Sequence, residues 1–248
     1  MSFIKRPNLP ESPVKTAILG KADDEIISFV ESFGIEIIFT DCNLFVDSAI
    51  STHADINTFY FGGGEILLDK SQKKLFDFLT EQKMNVSFTE SPVSGKYPND
   101  CKLNFALLAD KLIGKSDIAD ESIKKRSYKM LNVKQGYAKC STCIVNENAV
   151  ITDDVSVKKI CDQNGIDALL ICKGDVRLNG HEYGFIGGAS ALIDKNHLIF
   201  FGDITAHRDF ESIDCFLKKH SCKYSFLKSH VLTDIGGMIP IKESRNSP

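Results

Sequence analysis

Short apolar runs alternate with amphipathic stretches along this chain, and the alternation repeats with changed letters. In each repeat a polar segment leads into an apolar strand, a turn, a second apolar strand, a helix and a further strand. The polar segments are His53-Ala54-Asp55-Ile56, Asp100-Cys101-Lys102-Leu103-Asn104, Lys139-Cys140-Ser141-Thr142-Cys143, Gly187-Gly188-Ala189-Ser190 and Asp234-Ile235-Gly236-Gly237. They recur every ~40 to 48 residues, a period that marks propellers, solenoids and closed repeat arrays.

The pattern predicts a strand over 14–19 and a helix over 24–33, with Ile26, Ile27, Val30 and Phe33 at helical spacing. Asp23 is placed to cap that helix and Gly34 to end it. Residues 35–40 read as a buried strand. The first full repeat has strands over 56–61 and 65–68 around a glycine turn, a helix capped by Ser71, and a closing strand over 85–88. The second has strands over 103–108 and 111–113 and a helix within 117–131. The third has strands over 142–145 and 149–152, a helix from Asp154 to about Gln163, and a strand over 168–172. An excursion over 173–183 follows, suited to a hairpin around Asn179-Gly180. The fourth has strands over 189–193 and 197–201, a helix over 209–219 and a strand over 224–227.

A fifth unit begins at 231–241 and runs out of chain, and residues 14–40 supply its missing helix and strand. A linear array needs two capping ends. Here the incomplete units at the two termini complement each other, which removes an unpaired edge. The reading is therefore one α/β domain over 14–241, built of ββαβ-type repeats and closed by the N-terminal helix and strand. Loose tails are expected at 1–13 and 242–248. An ordinary α/β sandwich is the alternative.

Composition narrows the field. The chain has 248 residues, 43% hydrophobic and 25% charged, as in an ordinary soluble globular protein. Its 30 basic and 33 acidic residues leave a net charge of −3, which gives no reason to expect a nucleic-acid or membrane partner. The first residues lack the apolar core of a secretory signal, and no window approaches a membrane span. The eight cysteines then read as reduced thiols of a cytoplasmic protein.

At this point the motifs resemble the pentein superfamily, the fold of guanidino-group-modifying enzymes. The resemblance covers about 14–241 and rests on repeat architecture and short motifs. His53-Ala54-Asp55 resembles the family's His-x-Asp motif, Lys139-Cys140 its cysteine unit, and Asp234-Ile235-Gly236-Gly237 its acidic glycine-rich motif. The cyclic order is that of arginine deiminases, opened at another point of the ring. It implies a five-fold pseudosymmetric α/β propeller and a covalent amidino-thiol intermediate on a guanidine or amidine substrate. Two features depart from the family: the final unit has Met238 where a cysteine is usual, and no glutamate partner for the histidine is identifiable.

Guanidine chemistry needs carboxylates to hold a planar cation, a thiolate to attack its central carbon and a histidine to move protons. Cys140 suits the nucleophile, because it opens a strand beside Lys139, whose charge favours thiolate. Cys143 is the fallback. The alternative for Cys140 is a buried strand thiol. His53 suits proton transfer, with Asp55 orienting it or binding substrate; the alternative is a turn histidine followed by a backbone-capping aspartate. Asp234 and Asp100 are candidates for cation contacts, and Asn104 for a neutral hydrogen bond. Cys140-x-x-Cys143 lacks a second metal-ligand pair, and strand positions i and i+3 face opposite sides, so no metal or cofactor is expected. His181, His197 and His220 read as structural, and Asp209 as a helix N-cap or first-turn acid. Two functions stay open: a guanidine or amidine hydrolase or amidinotransferase, and a binding protein that uses the same fold without catalysis, as a ribosome-binding factor of that superfamily does.

Overall fold

The repeating pattern becomes five small sheets in the structure, a computed structural model that describes residues 1–245. The chain begins with β1 (Ser2–Phe3), β2 (Val14–Leu19), α1 (Asp24–Glu31) and β3 (Glu36–Phe39). Next come α2 (Ala54–Asn57), β4 (Thr58–Gly62), β5 (Glu65–Leu68), α3 (Lys73–Glu81) and β6 (Asn85–Phe88). The third sheet uses β7 (Ala106–Leu108), β8 (Lys111–Gly114), α4 (Glu121–Lys124) and β9 (Lys129–Asn132). The fourth uses β10 (Thr142–Asn146), β11 (Ala149–Thr152), α5 (Val155–Gln163) and β12 (Asp167–Leu170). The last complete unit is β13 (Ser190–Asp194), β14 (His197–Phe200), α6 (Phe210–Lys219) and β15 (Lys223–Phe226), and β16 (Met238–Glu243) follows.

One rule builds every sheet. Two strands pair antiparallel, and a helix then returns the chain to a third strand parallel to the second. The two chain ends make the remaining sheet together: β16 pairs antiparallel with β2, and β2 parallel with β3. Among the described residues no sheet closes on itself; each is an open ribbon of three or four strands. First strands of different sheets touch one another, β7 with β10, β10 with β13, β13 with β16 and β16 with β4.

Burial explains the sequence pattern. The central strands are covered on both faces, so β5 reads Ile66-Leu67-Leu68 and β11 reads Ala149-Val150-Ile151 without alternation. The third strands β3, β6 and β9 are largely exposed and carry more polar residues. Each longer helix buries an i, i+4 pair: Ile26 and Val30, Leu75 and Leu79, Val157 and Cys161, Ile213 and Leu217. The repeats also share a device at the start of the first strand. Thr58, Thr142 and Ser190 each donate a hydroxyl to the carbonyl four residues earlier, at 2.8, 2.7 and 2.8 Å.

Several expectations are corrected. Residues 1–13 are not loose: β1 pairs with β16, and Ile4 is fully buried beside β16 and the Gly62–Gly64 turn. Lys242 and Glu243 belong to β16, while 246–248 lie outside the described residues. Residues 54–57 form a helical turn, because the buried Asn57 amide and Thr58 hydroxyl bond back to the His53 and Ala54 carbonyls. The 103–108 strand starts only at Ala106, since the Asn104 and Phe105 amides bond back to the Cys101 and Leu103 carbonyls in a turn that continues the 3-10 turn at 99–101. The excursion over 173–183 does turn back at Asn179-Gly180, where His181 N bonds the Leu178 carbonyl and Gly184 N the Val176 carbonyl, but among the described residues it forms no strand pair of its own, and Arg177 bridges to Thr233. Asp23 and Asp209 stand at helix starts without capping them: Asp23 pairs with His230, and Asp209 accepts from the Cys172 amide. Gln72, not Ser71, occupies the start of α3.

The N-terminal packing has a measurable consequence. Ile4→Ala should lower the unfolding free energy by about 2–4 kcal/mol, as for other buried isoleucines. Urea denaturation reads this directly; an unchanged midpoint would mean that residues 1–13 contribute nothing to the fold.

Candidate functional site

The polar segments that open the first strands meet at one buried cluster. Asp55 lies in the α2 turn, His53 at its start, and Cys140 just before β10. One ligand-type atom from each lies within 4.8 Å of the others. The Cys140 thiol donates to Asp55 Oδ2 at 2.8 Å. Asp234 Oδ1 stands 4.0 Å from His53 Nδ1. Asp55 thus turns to the thiol rather than orienting the imidazole, and Asp234 is the carboxylate nearest the ring.

Asn104 sets this arrangement. Its Nδ2 donates to Cys140 Sγ and to the Asp55 carbonyl, both at 3.2 Å. Its Oδ1 accepts from the amides of Lys139 at 2.8 Å and Cys140 at 3.2 Å. Asp234 is held by backbone amides, Gly236 N on Oδ1 and Phe185 N on Oδ2, each at 2.9 Å. Two glycines make the close approach possible. A Cβ on Gly188 would sit 1.9 Å from Asp234 Oδ1, and one on Gly236 2.3 Å from the His53 Cβ. Gly236 also takes φ +78°, a conformation that suits glycine.

A cavity of about 300 Å³ opens onto the cluster. His53, Cys140 and Asp234 form its polar floor. Ile50, Tyr137, Leu178, Tyr183 and Phe185 form apolar walls, and Asp47, His181 and Glu182 complete the lining. Asp55 lies behind the thiol and lines a smaller space with Lys139. Asp100 is also set back from the cavity, where it accepts a 2.6 Å bond from the Tyr137 hydroxyl. Asp100 and Asn104 therefore stand behind the wall and hold residues that line it. Cys143 faces the other way, into the core beside Val145 and Ile151, where burial pushes its thiol up to about 12.

The electrostatics overturn one expectation. Burial, then the charges of Asp55 and Asp234, push the Cys140 thiol well above its ordinary value, and Lys139 does not offset them. The resting sulfur is a neutral thiol. Burial raises Asp55 to about 7, partly opposed by the Lys139 charge. His53 is lowered, chiefly by burial and against the pull of Asp234, so its ring is neutral near pH 7. Among the described residues, His53 Nδ1 and Asp55 Oδ1 are buried without a hydrogen-bond partner. The site is short of positive charge and of donors, and suits a ligand that brings both.

The sequence reading missed most of the cavity wall. Leu178, His181, Glu182 and Tyr183 come from the excursion over 173–183, where His181 reads as structural, and Phe185 from just beyond it. Its aromatic content was the available signal. A second signal is positional: His53, Tyr137 and Phe185 each precede a strand-opening hydroxyl residue, Thr58, Thr142 and Ser190, by five positions.

None of the curated proteins matches this sequence. Solved structures do. The inosamine-phosphate amidinotransferase of Streptomyces griseus superposes with a TM-score of 0.63 at 9% identity, covering 99% of this chain and 98% of that one. An amidinotransferase of the saxitoxin pathway of Microseira wollei gives 0.61 at 11% identity, covering 98% of each. The agmatine deiminase of C. jejuni gives 0.53 at 12% identity, covering 90% of each. These are pentein superfamily members, and at such identities the likeness is one of fold. The family model that matches residues 17–239 is described as "Family of unknown function (DUF6873)", and the chain belongs to that family.

Proposed function

We propose that the five sheets stand as blades around one axis and that the cluster at their centre modifies a guanidine or amidine group through Cys140. The observation that carries this reading is the convergence of Cys140, His53 and Asp55 within 4.8 Å beside a cavity floored by Asp234. Contacts between first strands of neighbouring sheets support the ring. The likeness in fold to two amidinotransferases and a deiminase supports the reaction class.

In this reading a guanidinium enters over the thiol and donates paired N–H bonds to Asp234. Its charge offsets those of Asp55 and Asp234, which add to burial in holding the thiol protonated, and so favours thiolate. His53, neutral at rest, accepts the thiol proton. The sulfur bonds to the central carbon, and the carbon–nitrogen bond to the leaving amine breaks as that amine takes the proton from His53. The amidino-thiol intermediate is then attacked by water, which gives its proton to His53. The sulfur–carbon bond breaks, the sulfur takes the proton back from His53 to restore the thiol, and the remaining hydroxyl proton of the product leaves to solvent. An acceptor amine in place of water makes the same sequence an amidinotransfer. Asn104 and Asp100 act as positioning residues, through Cys140 and Tyr137.

The neutral resting thiol and its bond to Asp55 favour a second reading, a small-molecule binding protein without turnover. The two separate on substrate. Incubation with arginine, agmatine and methylated arginines should release urea, ammonia or an amine and leave a mass-detectable adduct on Cys140. Cys140→Ser should abolish both; a broad panel with neither turnover nor adduct leaves only binding.

Asp55 should govern pH dependence. Its carboxyl ionises at about 7, and the anion attracts a cation that the acid does not. In the Cys140→Ser background, affinity for agmatine should rise with pH through that value by about tenfold. Asp55→Asn should flatten the curve, and an unaltered pH profile in that variant would assign the effect elsewhere.

Stability gives an independent check. A carboxyl whose folded-state pKa is raised stabilises the fold below its unfolded value of about 4, and that contribution is lost as pH rises through about 7. The Tm should therefore fall less across that window in Asp55→Asn than in the wild type. Parallel curves would place the titrating group elsewhere.

A further inference from the structure

The cluster joins three different donor chemistries, imidazole, carboxylate and thiol. His53, Asp55 and Cys140 are all buried, and their ligand-type atoms lie within 4.8 Å of one another. Among the described residues, His53 Nδ1 and Asp55 Oδ1 have no hydrogen-bond partner, a costly state for buried polar atoms. Asp234 adds a further carboxylate 4.0 Å from the ring. We propose that His53, Asp55 and Cys140 form a binding site for a thiophilic divalent cation of the zinc type.

Imidazole, carboxylate and thiolate are donors that zinc accepts, and the sulfur disfavours magnesium and calcium, which take oxygen ligands. Zinc bonds of about 2.0–2.3 Å in tetrahedral geometry set donors ~3.5 Å apart, so modest side-chain rotations close the set. His53 and Cys140 also line the cavity, and the fourth position faces that space. Three protein ligands with one open position is the pattern of catalytic rather than structural zinc. Coordination replaces the thiol proton, which leaves to solvent. Cys143 takes no part, because it faces the core; the ligands come from the segments that open two different sheets, a pairing that no local spacing announces.

An ion on the Cys140 sulfur blocks attack by that sulfur, so metal and guanidine chemistry exclude each other at this site. That consequence rests on the reaction proposed above, whereas metal binding does not. A protein that binds zinc and leaves every guanidine intact would keep this inference and sink that reading, and the reverse result would do the opposite.

The test is calorimetric titration of the metal-free full chain with Zn²⁺, beside a Co²⁺ titration followed by absorbance. The expected result is one ion per chain, with a cobalt spectrum that carries a thiolate charge-transfer band. Cys140→Ala and His53→Ala should each weaken binding by more than about tenfold while retaining a cooperative melt. Serine in place of the exposed Cys42, Cys172 and Cys215 together should leave binding intact. No binding by the wild type, cobalt bound without a thiolate band, or zinc affinity that survives Cys140→Ala would each overturn the proposal. The wild-type spectrum decides the matter even where a variant fails to fold.

Discussion

A single buried side-chain amide ties the centre of this molecule together. Asn104, just ahead of β7, bonds the Asp55 carbonyl before β4 and the Lys139 and Cys140 amides before β10, and it also donates to the Cys140 sulfur. The loops that open three sheets are thereby fixed relative to one another. In a dry interior each unmade bond of this kind would leave a desolvated polar group, so the geometry is sharply specified. An aspartate here would present no donor to the sulfur, and a leucine would leave two backbone amides without an acceptor.

That constraint forces the electrostatics. The carboxyl of Asp55 is pressed against a thiol, with Asp234 close by, and all three are removed from water. The cation that opposes the rise of Asp55 is Lys139, whose ammonium sits on the Gly187 carbonyl side and lines spaces other than the main cavity. The protein responds by holding protons: the thiol stays neutral and Asp55 is raised to about 7. Such a site is poised rather than reactive at rest. Guanidinium and a thiophilic metal ion are two ways of supplying the missing positive charge, which is why one cluster supports both proposals.

The surroundings are less demanding. The apolar walls of the cavity come largely from an irregular segment held to the neighbouring strand-opening loop. Arg177 N bonds the Leu232 carbonyl, Asp234 N bonds the Arg177 carbonyl, and Phe185 N bonds the Asp234 carboxylate. The same residue that floors the cavity therefore anchors the segment that walls it. A change at Asp234 acts on charge and on shape together, so its variants report on both.

The chain itself determined the strand and helix pattern, because both-face burial writes unbroken apolar runs such as Ile66-Leu67-Leu68 and one-face burial writes i, i+4 pairs such as Leu75 and Leu79. It also carried the complementary ends, realised as β16 against β2, and the His53, Cys140 and Asp234 motifs that reach one cavity. It did not reveal the packed N-terminus, where Phe3, Ile4 and Leu9 are scattered among polar residues and prolines without helical or strand periodicity. It misjudged Lys139, whose adjacency to Cys140 along the chain says nothing about where its ammonium lies. It could not assign Asp55 to the thiol, Asp100 to Tyr137 or Asn104 to both neighbours. Local pattern records how each segment is buried; tertiary structure alone decides which buried polar groups face one another, and their mutual desolvation and charge set the chemistry of the site.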